Sequence, residues 1–319
     1  MRTLYPPIEP FAVELMDVGG GHTIYVEHCG REDGLPVVFL HGGPGGGCKA
    51  DHRQFFDPAR YHVVLLDQRG AGRSRPFGGV ESNTTQELIA DLEQIREASG
   101  FERWLLFGGS WGAALALAYA EAHPDRVSGL VLRGTFLARQ ADFEWFCERG
   151  ASALLPDAWE RFLAAVQANQ GDDLLALLHR LTFSSDEADV EKVTRAWEAW
   201  SGAVVMYSFN SVPGGSAGEL KDAIVKMRLE MHYAYNRYFI RENQLLEEAG
   251  RLPDVPIRII HGQRDITCTA AAAWALHRAV PHSEIELLRT AGHLSGEPQM
   301  IDALVRAADD FTEKLSAPR

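Results

Sequence analysis

The chain has 319 residues, 46% hydrophobic and 24% charged, with 31 Lys and Arg against 44 Asp and Glu. That composition belongs to a folded globular protein and excludes a disordered one, and the length suits about two domains or one large domain with an insertion. The net charge of −13, with no basic run, leaves nucleic acid out of the expected partners, because phosphate binding needs a basic surface.

Residues 1–10 carry Pro6, Pro7, Glu9 and Pro10 in place of the basic start and apolar stretch of a signal peptide. No apolar run approaches the ~20 residues that span a bilayer. A cytoplasmic protein without membrane attachment is expected. Residues 11–16 and 23–28, with Gly19-Gly20-Gly21 between them, read as a β-hairpin. Four short apolar runs follow, at 37–40, 63–66, 104–107 and 130–132. Each runs into a glycine-containing loop, and each is continuously apolar, as strands buried on both faces are. Residues 84–99 and 111–122 between them read as helices, the first started by Asn83 and Thr84 and stopped by Gly100, the second ended by His123-Pro124. Strands alternating with helices imply βαβ units and a mostly parallel sheet with helices on both faces.

The pattern changes after Phe136. Residues 139–249 show no strand–helix alternation and are dense in Trp and Tyr, with helical periodicity at 157–170 and 221–239 and a loop expected at 211–218. This stretch reads as an all-helical insertion. The α/β pattern then resumes with a strand at 257–260, a helix at 270–279, a strand at 285–288 and a last helix at 301–314. The expected division is a first core segment 1–137, a helical cap 138–249 and a second core segment 250–319. Cys29, Cys48, Cys147 and Cys268 are far apart and form no C-x-x-C pair, so neither a metal nor a disulfide framework is expected.

Chemistry concentrates at Gly108-Gly109-Ser110-Trp111-Gly112, a G-x-S-x-G between an apolar strand and a helix. A serine on so sharp a turn is strained, needs small neighbours and presents its hydroxyl above the sheet. Such a nucleophile needs a base, and the base needs an orienting acid, in the chain order Ser, acid, His. Asp265 and His293 follow the strands at 257–260 and 285–288, at the carboxyl ends where open α/β sheets build their sites. Ser110, Asp265 and His293 are therefore the expected catalytic triad. The backbone N–H groups of Trp111 and of Gly43, in the loop His41-Gly42-Gly43-Pro44-Gly45, are the expected oxyanion donors. His41 reads as structural, and His232 as a structural or surface group.

The sequence resembles the proline iminopeptidases of the α/β-hydrolase superfamily over nearly its whole length. The carrying segments are His41-Gly42-Gly43-Pro44-Gly45-Gly46-Gly47, Asp67-Gln68-Arg69-Gly70-Ala71-Gly72-Arg73-Ser74, Gly109-Ser110-Trp111-Gly112, Arg133-Gly134-Thr135-Phe136-Leu137 and Gly262-Gln263-Arg264-Asp265 with Cys268. The resemblance implies an α/β-hydrolase fold and a serine exopeptidase that releases N-terminal proline from small peptides, with no metal or cofactor. It implies that Glu230 holds the substrate's amino end and that Phe136 and Cys268 line the proline pocket. The family's second cap glutamate follows a W-x-x-W pattern; here Trp197-Glu198-Ala199-Trp200 is followed by Ser201, with Glu198 about one helical turn earlier. That departure keeps open a carboxylesterase or amide hydrolase of the same fold. A non-catalytic ligand receptor is the remaining alternative, against which the intact triad speaks.

Overall fold

The computed structural model describes residues 1–169, 171–209 and 219–316. Strands β1 (Ala12–Gly19) and β2 (His22–Gly30) form the expected hairpin, and β3 (Leu35–Leu40), β4 (Tyr61–Asp67), β5 (Trp104–Gly109) and β6 (Val127–Arg133) follow the four apolar runs. With β7 (Ile257–Gly262) and β8 (Glu284–Leu288) they make one eight-stranded sheet in the order β1-β2-β4-β3-β5-β6-β7-β8. The β1–β2 and β2–β4 pairings are antiparallel and the other five are parallel.

The two-residue period of a strand explains the continuous apolar runs. Val38, Leu40, Val64, Leu66 and Leu106 pack on one face of the sheet with α1 (Thr85–Ala98) and α2 (Trp111–Ala122). Val37, Phe39, Val63, Leu65, Leu105 and Phe107 pack on the other, against the last helix. Helix α2 is buried all round, consistent with its Ala- and Leu-rich sequence. Near its end Glu121 is buried with Gln244 Nε2 donating to it at 3.2 Å, and burial pushes its carboxyl up to about 7.

Between β6 and β7 come α3 (Gln140–Glu144), α4 (Ala151–Leu154), α5 (Pro156–Val166), α6 (Leu174–Thr182), α7 (Glu187–Val205), α8 (Leu220–Tyr235) and α9 (Gln244–Glu247). Most of them surround a separate aromatic core that includes Phe143, Phe162, Trp197, Trp200, Met227 and Met231. The loop expected at 211–218 lies outside the described residues. The helix expected over 221–239 ends at Tyr235, because Arg237, Tyr238 and Phe239 all adopt positive φ. The helix expected over 157–170 ends at Val166, where Gln167 turns left-handed at φ 57°. After β7 come α10 (Ala270–Ala279) and, beyond β8, α11 (Pro298–Ser316), which starts three residues before the expected point, with Pro298 opening its first turn.

Hydrogen bonds seat the helical layer on the core, among them the following. Tyr233 Oη donates to Asn83 Oδ1 at 2.7 Å, Trp145 Nε1 donates to the Ile266 carbonyl at 2.8 Å, and Thr85 Oγ1 donates to the Tyr238 carbonyl. Leu245 and Ala249 join the main core directly. Among the described residues, no helix is long and apolar enough to cross a membrane.

Candidate active site

Ser110 is the single residue between β5 and α2, with φ 57° and ψ −123°. Its side chain makes no helix-capping hydrogen bond, so the hydroxyl is left for other use. The glycines around it are sterically required. A Cβ on Gly112 would lie 2.0 Å from the Leu40 carbonyl oxygen, and one on Gly108 would lie 2.2 Å from the Gly112 carbonyl oxygen. Both are far inside van der Waals contact, so the turn that exposes Ser110 exists only with glycine there.

His293 and Asp265 meet as the sequence order predicts: His293 Nδ1 lies 2.7 Å from Asp265 Oδ2, and both side chains are buried. Asp265 Oδ1 accepts from the backbone N–H of Thr267 and of Cys268, each at 2.9 Å. Burial pushes the Asp265 carboxyl up, but the adjacent His293 and these donors outweigh it and hold the carboxyl below the ordinary carboxylate range. Ser110 and His293 line the same cavity, and Cys268 Sγ lies 4.0 Å from Ser110 Oγ. Among the described residues no hydrogen bond joins Ser110 to His293, and catalytic hydrogen bonds of this kind are often long before substrate binds.

The backbone N–H groups of Gly43 and Trp111 have no hydrogen-bond partner among the described residues. The loop carrying Gly43 is held from below. His41 Nδ1 donates to the Gly42 carbonyl at 2.8 Å, while its Nε2 accepts from the Gln68 backbone N–H at 3.0 Å. The Gln68 side chain then joins the two donor loops: its Nε2 donates to the His41 carbonyl at 3.0 Å and its Oε1 accepts from Trp111 Nε1 at 2.9 Å. His41 is thus the structural residue the sequence suggests, and burial pushes its pKa down.

Four more residues fix this floor, and no local sequence signal marks their roles. Glu297 accepts from the backbone N–H of Gly292 at 2.9 Å and of Leu294 at 3.2 Å, bracketing His293. Arg133 donates to the His293 carbonyl at 2.6 Å. His261 Nδ1 accepts from the Thr135 N–H at 3.1 Å, so its Nε2 carries the proton given to the Cys268 carbonyl at 2.8 Å. Tyr238 turns its ring into the cavity between Phe136 (5.1 Å between centroids) and Trp111 (5.6 Å).

The cavity encloses about 390 Å³ between the sheet's carboxyl edge and helices α7 and α8. Its floor includes Gly43, Ser110, Phe136, Cys268 and His293; its roof includes Trp197, Glu198, Ser201, Lys226 and Glu230. The structure therefore brings every expected substrate-pocket residue to one space. Cys268 is buried, which pushes its thiol well up and keeps it protonated. Glu230 Oε2 accepts from Trp197 Nε1 at 2.6 Å, and its Oε1 lies 3.8 Å from Lys226 Nζ. Among the described residues, no cluster of His, Cys, Asp and Glu has the arrangement of a metal site, and all four cysteines are free.

This arrangement is suited to nucleophilic acyl transfer: a strained exposed serine, a histidine oriented by a buried acid, and two unengaged N–H groups beside the serine. Comparison with known proteins agrees. Residues 36–297 match the family described as alpha/beta hydrolase fold. A proline iminopeptidase from Xylella fastidiosa is 46% identical over 98% of this chain and 100% of its own length. One from Arabidopsis thaliana is 42% identical over 99% of this chain and 83% of its own, and one from Neisseria meningitidis is 39% identical over 98% and 100%. The solved structure of an esterase from Rhodococcus aligns with a TM-score of 0.62 at 20% identity, covering 95% of this chain and 99% of that one, a likeness of fold alone. The chain belongs to the alpha/beta hydrolase fold and, within it, to the proline iminopeptidase family.

Proposed function

We propose that this chain is a serine exopeptidase that releases N-terminal proline from peptides through an acyl-enzyme. Ser110 Oγ attacks the prolyl carbonyl carbon as His293 Nε2 takes its proton. Asp265 holds His293 Nδ1–H and stabilises the imidazolium. The oxyanion that forms accepts from the N–H groups of Gly43 and Trp111. Collapse breaks the peptide C–N bond, and His293 returns the proton to the leaving amine. Water then attacks the prolyl ester by the same route in reverse, freeing proline and Ser110. The chemistry needs no metal or cofactor. Glu230 binds the imino group, Phe136 and Cys268 flank the ring, and the roof blocks longer N-terminal extensions. We assign the core to residues 1–137 and 250–319, the cap to 138–249, and the protein to the cytoplasm.

The observation that carries this reading is the cavity with Ser110 and His293 on its floor and Glu230 in its roof. One fact favours a second reading, an esterase or amidase of other acyl groups: Glu230 already has a cation beside it in Lys226. Rates on proline β-naphthylamide, alanine β-naphthylamide and p-nitrophenyl acetate separate the two. The expected result is a strong preference for proline that falls by about ten-thousand-fold or more in Ser110→Ala. Ester cleavage without proline activity would establish the second reading instead.

A further inference from the structure

Lys226 is the one permanent cation among the described residues lining the cavity. It sits one helical turn before Glu230 on α8, half-buried, with its ammonium 3.8 Å from the Glu230 carboxylate. Glu230 raises its pKa and Glu198 adds to the effect, so it stays charged. Asp142, another carboxylate in the cavity wall, is already matched by Arg139 at 2.7 Å. Charge counting then exposes a problem. Glu230 with Lys226 is neutral, and a neutral pair has little attraction for the secondary ammonium of an N-terminal proline. Glu198 is the other roof carboxylate, on α7 at the exposed mouth of the same cavity.

We propose that Glu198, Lys226 and Glu230 act as one amine-binding unit of net charge −1, in which Glu198 supplies the charge that Lys226 cancels. This deepens the exopeptidase reading and rests on it. Ser201, on the same wall, adds no charge. Because Glu198 lies at the mouth, its contribution is long-range and screened by salt, whereas Glu230 makes the inner contact. Lys226 acts as an internal competitor: an entering ammonium must share Glu230 with it. Specificity follows from the balance. A substrate without a cationic N-terminus gains nothing from Glu198 and still meets Lys226.

A double-mutant cycle on the full chain tests this with proline β-naphthylamide at low and high salt. Glu198→Gln is expected to raise KM about fivefold at low salt and to flatten the salt dependence, as loss of a rim charge does. Lys226→Met is expected to lower KM about threefold. The double variant, again at net −1, is expected to return to within about twofold of the wild type. An unchanged KM in Glu198→Gln, or a double variant no better than that single one, overturns the proposal. Inhibition of p-nitrophenyl acetate hydrolysis by pyrrolidine, a secondary ammonium without an acyl group, reads the same cycle independently of peptidase activity. If the wild type cleaves ester but not proline amide, the exopeptidase reading falls while the pyrrolidine inhibition constants still decide the charge unit. Inhibition constants that follow the cycle support it, and pyrrolidine that binds all four proteins alike, or none, overturns it.

Discussion

The floor of the cavity and its roof hold their polar groups in opposite ways. On the floor each acting group is fixed by at least one further partner: Asp265 by two backbone donors, His293 by Asp265 and by the Glu297 and Arg133 braces around its loop, Gly43 by the His41–Gln68 clamp. In the roof, an aromatic core with Trp159 and Trp200 4.9 Å apart supplies the rigidity, and the charges stand on its surface. Glu230 has one short hydrogen bond and one loose ion pair, and Glu198 stands at the exposed mouth. Bond breaking demands geometry held to a fraction of an ångström, which a braced floor provides. Selection among substrates demands only a charge balance, which a roof can alter one residue at a time without disturbing the chemistry.

The largest effect should come from breaking the floor. Asp265→Asn is expected to cost about ten-thousand-fold in kcat, because the amide favours the wrong tautomer of His293. The loss should appear equally with proline β-naphthylamide and p-nitrophenyl acetate; a loss confined to the proline substrate would erase the distinction between floor and roof. Glu230→Gln is the corresponding break in the roof. Steady-state assays should show KM for proline β-naphthylamide rising by at least about tenfold, with ester hydrolysis changing far less. Gln68→Leu sharpens the contrast, since Gln68 touches no substrate yet joins both oxyanion loops. A drop of roughly tenfold in kcat with KM near its original value is expected, on both substrates, from a loosened oxyanion site.

The smallest effect lies outside both regions. Glu121 has its carboxyl raised to about 7 by burial, so the folded state binds a proton more tightly than the unfolded chain. Its stabilising contribution is complete at low pH and is lost as the pH rises from about 4 through about 7. Thermal unfolding should therefore show the Glu121→Gln variant losing less Tm than the wild type between pH 5 and pH 8. Activity on either substrate should be unaffected, which makes this variant a control for the other three.

Much of the floor was legible in the sequence because its groups sit at marked places. Ser110 has a glycine-framed motif, and Asp265 and His293 follow apolar runs in the required order. The braces were not legible because they act across long separations: Arg133 reaches the His293 carbonyl from 160 residues away, and Trp145 reaches Ile266 from 121. Nothing local to Glu297 distinguishes it from any glutamate before a helix. Tyr238 was missed for a different reason. Residues 237–239 read as a continuation of a helix, and tyrosine is a poor candidate for the left-handed turn it adopts at φ 55°. Lys226 carries no sequence signal of its own; the cavity places it beside Glu230. The resemblance to proline iminopeptidases supplied Glu230, Phe136 and Cys268, and the structure lines one cavity with all three.

The 2.6 Å hydrogen bond from Trp197 Nε1 to Glu230 gives the protein a built-in optical probe. An indole N–H held by a carboxylate emits according to the field of that carboxylate. An ammonium arriving at Glu230 changes that field at a distance of one hydrogen bond. Trp197 fluorescence should therefore shift when proline or pyrrolidine occupies the roof, even in Ser110→Ala, where no turnover takes place. Binding can then be followed by titration separately from chemistry, with Trp197→Phe as the silent reference.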